Sequence, residues 1–230
     1  MKKLLITLSL LLTFSFAATN VAAQVEGVPA PDLGDLDAAF EEIEGLQSIY
    51  DRTFSVDIEA LMSDPEFDVA NMDMSTMMNM IMIRGYTFDS EDNAKAFIEM
   101  TVSEMDKAIA EDESGLFEGM EVTELEGFDV DGIRVTMDMP DLGAGMSYIV
   151  FVDGNQVFQV SVMDAALDAA NEKVDAVAQF VIDAEGSSDD VTLNADGTST
   201  GGVFDRMPTA DDEIVGDLSS VTDSELYAAE

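Results

Sequence analysis

The chain has no cysteine, no histidine and no tryptophan, and only nine lysines and arginines among 230 residues. Each absence removes a class of chemistry. Without cysteine there is no disulfide, no thiolate nucleophile and no structural zinc site, and no residue to carry a lipid at a cleavage point. Without histidine there is no Ser–His or Cys–His pair and no imidazole ligand. No indole is present to floor a sugar cleft. No glycine-rich phosphate loop occurs, and the few bases are too scattered to clamp a phosphoryl group. Carboxylates are the catalytic type that remains, and a pair of them suffices for glycoside hydrolysis. With 49 acids in the chain, however, some pair is always close, so proximity argues nothing. The expectation is a protein that is not an enzyme, with a carboxylate-based hydrolase as the catalytic alternative.

Two of the bases, Lys2 and Lys3, precede an apolar stretch from Leu4 to Phe16, and Val21-Ala22-Ala23 ends a small-x-small pattern before Gln24. This is the layout of a Sec-type signal peptide over 1–23, cut near Ala23. The apolar stretch falls short of the roughly 20 residues a spanning helix needs, and no later segment approaches it. The expected product is either secreted or held in the periplasm or cell envelope, with no membrane span after signal cleavage.

All 49 acids lie beyond residue 23 against seven bases, which leaves a net charge of −42. High net charge favours disorder, yet 47% of the residues are hydrophobic and 13 are Phe, which is the composition of a packed core. An acid-clad folded domain reconciles the two. Such a surface resembles the secreted proteins of salt-loving microbes, and it repels nucleic acid and anionic lipid. The partners left are cations of the medium and a protein or small ligand of unspecified kind.

Residues 24–34, with Pro29 and Pro31, read as a linker. Leu36, Phe40, Ile43, Leu46 and Tyr50 recur at helical spacing and predict a helix over 35–51. Asn79–Phe88 reads as an interior strand, apolar on both faces. Asp89-Ser90 cap a helix to about Ala110 whose stripe is Ala94, Phe97, Ile98, Thr101, Met105 and Ala108. A hairpin is predicted around Asp131-Gly132 and a second around Asp153–Gln156. Asp164 caps a last helix with the stripe Leu167, Ala170, Val174, Val177 and Val181. The sum is one α+β domain over 35–185: a mainly antiparallel sheet of about five strands, a hairpin meander, with helices packed on one face. From Gly186 to Glu230, Gly, Ser, Thr and Asp dominate, which predicts a mostly disordered acidic tail. The Tyr86–Ser90 strand-to-helix join and the Asp-Gly meander are similar to those of small secreted α+β domains of bacterial envelopes. No functional residue follows from that resemblance.

Sixteen methionines are the one compositional excess, six of them between Met72 and Met82. Thioethers suit Cu(I) and Ag(I), so Met72, Met74, Met77 and Met78 are the candidate metal ligands. The competing reading is that methionine fills irregular core space. Calcium has oxygen ligands in plenty, but no D-x-[DN]-x-[DN]-G loop with its distal Glu is present. No cofactor is expected. Function therefore stands between an acidic binding or interaction module, a soft-metal binder and a carboxylate-based hydrolase.

Overall fold

In the computed structural model, the residues described are 40, 42–57, 79–111, 119–140, 143–184, 186, 191–193 and 199–229. In chain order they form β1 (Leu46–Ser55), β2 (Met80–Phe88), α1 (Glu91–Ala110), β3 (Met120–Glu124), β4 (Asp131–Met139), β5 (Ala144–Asp153), β6 (Gln156–Asp164) and α2 (Leu167–Asp183). A short pair, β7 (Thr192–Leu193) and β8 (Ser199–Thr200), precedes two 3-10 turns, Gly202–Arg206 and Glu213–Val215, and then β9 (Ser220–Ala228). The fold is α+β. Seven strands make one sheet in the order β3-β4-β5-β6-β2-β1-β9, and every pairing is antiparallel.

The interior strands are apolar on both sides, as the run from Met80 to Phe88 predicts. Because side chains alternate along a strand, they divide into two cores. Ile81, Ile83, Ile149, Phe151, Phe158 and Val160 pack with Ala170, Val174, Val177 and Val181 of α2. Ile49, Tyr86, Phe88, Tyr148, Val150 and Val157 pack with Ala94, Phe97 and Met105 of α1. The two helices therefore cover opposite faces of the sheet, not one. The reason is that β2, β5 and β6 carry apolar residues at both parities, and each face needs its own cover.

Local signals place most elements correctly. Ser90 caps α1 by accepting a hydrogen bond from the Asn93 amide; of the expected stripes, Ala94, Phe97, Thr101 and Met105 of α1 and Ala170, Val174, Val177 and Val181 of α2 are buried, while Ile98 and Leu167 are half-buried. Asp164 is not the cap of α2; that position is Ala166, and the Asp164 carboxylate instead meets Lys173 at 3.1 Å. The β5–β6 hairpin turns on Gly154-Asn155, with Gly154 alone at positive φ (60°), the pattern of a II′ turn. Asp131-Gly132, by contrast, is not a turn. It opens β4 opposite Phe151 and Val152, and glycine serves there because a Cβ would overlap the Val150 carbonyl.

Two larger expectations are overturned. Residues 46–55 are a strand and not the end of a helix. A bulge between Leu46 and Ser48 brings Leu46 and Ile49 to the same face, so an irregular strand carries a helix-like spacing of three. The segment 199–229 is not structureless: it supplies β9, the seventh strand, and it buries Val203, Phe204, Met207, Val215 and Leu218 against the α2-side core. Burial of such side chains gives roughly 1.5–3 kcal/mol each, which offsets the ordering entropy that the polar composition suggested would win.

Candidate functional site

The sheet face beneath α1 carries residues in register rows, because directly paired residues of antiparallel strands point to the same side. One row is polar. Asp51, Arg84 and Gln159 stand side by side on β1, β2 and β6, all buried. Arg84 donates from Nε and Nη2 to the two Asp51 carboxylate oxygens at 2.6 and 2.9 Å. Burial by itself lowers the pKa of Arg84, but Asp51 and Tyr86 beside it raise it, and the net shift is upward. Tyr86 donates to Gln159 Oε1 at 3.4 Å, and burial raises its pKa against the opposing pull of Arg84. The row is thus built on a charge-matched ion pair buried in the core.

Two steps along each strand the row is Met82, Ser161, Tyr148, Val135 and Val122, an ordinary mixed core. Two steps further it changes character. Met80 pairs with Met163, Met163 with Met146, Met146 with Met137, and Met137 with Met120. Five successive strands, β2-β6-β5-β4-β3, present methionine at one level of one face. Met137 and Met146 are buried, while Met80, Met163 and Met120 are half-buried. Sequence reading missed the row because its members are separated by up to 83 positions along the chain (Met80 to Met163) and only the pairing register aligns them. The four candidate ligands Met72, Met74, Met77 and Met78 lie outside the described residues.

The bases are fully committed. Arg52 pairs with Asp223, Arg84 with Asp51, Lys95 with Glu91, Lys107 with Glu104, Arg134 with Asp175, Lys173 with Asp164 and Arg206 with Asp153. All seven bases beyond residue 23 therefore sit against a carboxylate.

A surface cleft of about 330 Å³ lies where the start of α1, the loop before β4 and the β5–β6 turn meet; its charged lining is Glu91, Asp129, Asp131, Asp153 and Lys95. The Glu91 hydrogen bond and charge raise the pKa of Lys95. Four carboxylates around one paired ammonium disfavour any anionic ligand there. Among the described residues, no group of three or more acidic side chains is arranged to hold a metal ion, and no helix is long and apolar enough to cross a membrane.

No protein-family model and no curated protein matches the chain. Among solved structures, the extracellular domain of PknH from Mycobacterium tuberculosis matches with 14% identity and a TM-score of 0.27. The match covers 44% of this chain and 57% of that one, so it spans little more than half of that domain.

Proposed function

We propose that the chain is an exported, non-catalytic binding or interaction module of the cell envelope or the extracellular space, built for saline surroundings. The export reading rests on Lys2-Lys3, the apolar run Leu4–Phe16 and the Val21-Ala22-Ala23 site. The observation that carries the rest is the commitment of all seven bases beyond residue 23 to ion pairs. With no spare cation, the outward charge is almost purely carboxylate. Such a surface repels itself in dilute buffer, where the Debye length reaches tens of ångströms, and is relieved at molar salt, where it shrinks to about 3 Å. Partners that gain from this surface are cations and cationic faces of other molecules; nucleic acid and anionic lipid do not.

Thermal unfolding between about 0.05 and about 3 M KCl tests the saline reading, since these concentrations bracket strong and weak screening. The midpoint is expected to climb steeply with salt. A midpoint that stays flat or falls removes it. The soft-metal reading draws support from a separate observation, the methionine row.

A further inference from the structure

Packing alone calls for apolar volume on a sheet face, and the adjoining row meets that need with Val122, Val135, Tyr148 and Met82. It does not call for sulfur at five consecutive positions. The row Met80–Met163–Met146–Met137–Met120 is therefore a concentration of one donor atom, assembled from five strands. Directly opposed residues of antiparallel strands have Cα atoms roughly 4.5–5.5 Å apart. The methionine side chain has three rotatable bonds, so neighbouring thioethers on such a row can converge on one point without moving the backbone.

We propose that Met80, Met163 and Met146 form a thioether site for a soft monovalent cation, Cu(I) or Ag(I). Thioether sulfur is a soft ligand and selects such ions over the hard cations of brine. The chain has no Cys and no His, so methionine is its one soft side-chain donor. Met80 and Met163 are half-buried and give access from solvent, and Met146, beside Met163 in the row, is buried. The anionic coat contributes by raising the local concentration of any cation. The thioether is neutral, so a bound monovalent ion brings its charge onto a face where Arg84 is already matched by Asp51. The proposal deepens the binding-module reading and rests on it for the extracytoplasmic setting.

The test is titration of the purified full-length mature chain with silver nitrate in about 2 M sodium nitrate, where charge is screened and chloride does not compete for silver. Methionine methyl groups, labelled with carbon-13, report the ligands by NMR. Saturation at one Ag(I) per chain is expected, with the methyl signals of Met80, Met146 and Met163 moving together. Met80→Leu, Met146→Leu and Met163→Leu are each expected to weaken binding at least about tenfold, the lower end of the roughly 10–100-fold that loss of an outer-shell partner brings. Leucine is close to methionine in volume, and an unchanged unfolding midpoint verifies the fold of each variant. The proposal is overturned by any of three results: no saturable binding, signals moving only at Met72, Met74, Met77 and Met78, or leucine variants that bind as tightly as the parent. Silver binding with a salt-insensitive midpoint would retain this site and remove the saline reading; the reverse pair of results would do the opposite.

Discussion

Arg52 and Asp223 stand directly opposite each other on β1 and β9, and the guanidinium donates from Nε and Nη2 to the two carboxylate oxygens at 2.8 Å each. Both side chains are nearly sealed from solvent, at 5% and 1% exposure. The remaining Arg52 donors reach the carbonyls of Ser199 at 2.9 Å and Pro208 at 3.0 Å, and the guanidinium lies 5.0 Å from the centre of the Phe204 ring. One side chain from the first strand therefore gathers four points of the segment 199–229. Arg206 does the reverse: it extends from that segment to the Val181 carbonyl at the end of α2 and to Asp153 at the β5–β6 turn.

Breaking the first of these clasps from the acid side leaves a buried, unmatched guanidinium. Asp223→Ala is expected to destabilise the fold by about 3–5 kcal/mol, while the double variant Arg52→Met/Asp223→Ala recovers much of the loss, because the unpaired charge is what costs most. Urea unfolding of the three proteins checks this. A single-variant loss below about 1 kcal/mol, the range of exposed pairs, contradicts the clasp.

Removal of residues 199–230 is expected to abolish cooperative unfolding. It exposes Tyr50 and Phe54, which now pack with Phe204, Met207 and Leu218, and leaves Arg52 without its partners. Near-ultraviolet circular dichroism and dye binding should report a loosened core. A truncated chain with the parent's midpoint would show the segment to be dispensable, as its composition suggests.

Alkaline pH should unfold the protein through two tyrosines. Burial raises the pKa of both Tyr86 and Tyr148 above the ordinary value of 10. Below that value both are neutral in folded and unfolded chains alike, so stability is unaffected. Above it the unfolded chain loses these protons and the native one keeps them, so stability falls as pH rises, by about 2.7 kcal/mol per pH unit for the pair. Arg84 does not counter this, since its raised pKa keeps it charged in the native state throughout. Tyrosinate absorbance followed with circular dichroism should show ionisation and unfolding arriving together. Full titration of a still-native protein near pH 10 refutes it.

Gly145 marks where α2 meets the sheet. A Cβ there would overlap the backbone of Ala166 and Leu167, which no rotamer change relieves. Gly145→Ala is expected to cost at least the roughly 1–3 kcal/mol typical of overpacking. Gly154→Ala has open space around it and meets only the strain of φ 60°, about 1–2 kcal/mol. Thermal midpoints of the two should differ in that order; equal losses would place α2 further from β5 than it stands.

The elements legible in the linear chain are those whose burial pattern is local. The α1 and α2 stripes and the alternation of Phe158, Val160 and Val162 repeat within a few turns or residues, so composition and period name them. The first strand and the last segment are different. β1 holds Asp51 and Arg52 in its middle, two charges that argue against an interior strand until Arg84 and Asp223 arrive from 33 and 171 positions away. The candidate metal ligands illustrate the same divide: a cluster close in sequence was visible at Met72–Met82, whereas the row from Met80 to Met120 exists only in the register of five strands.

Composition and local order thus determined a core-forming apolar fraction, two amphipathic helices, a large excess of carboxylates over bases and no imidazole or thiol chemistry, since each follows from residue type and short-range period. The three-dimensional fold alone decided that the helices take opposite faces, that the acidic end completes the sheet, and that scattered methionines share one level. Those outcomes depend on which distant backbones hydrogen-bond and in what register, and shifting a strand by one residue would send every side chain on it to the other face.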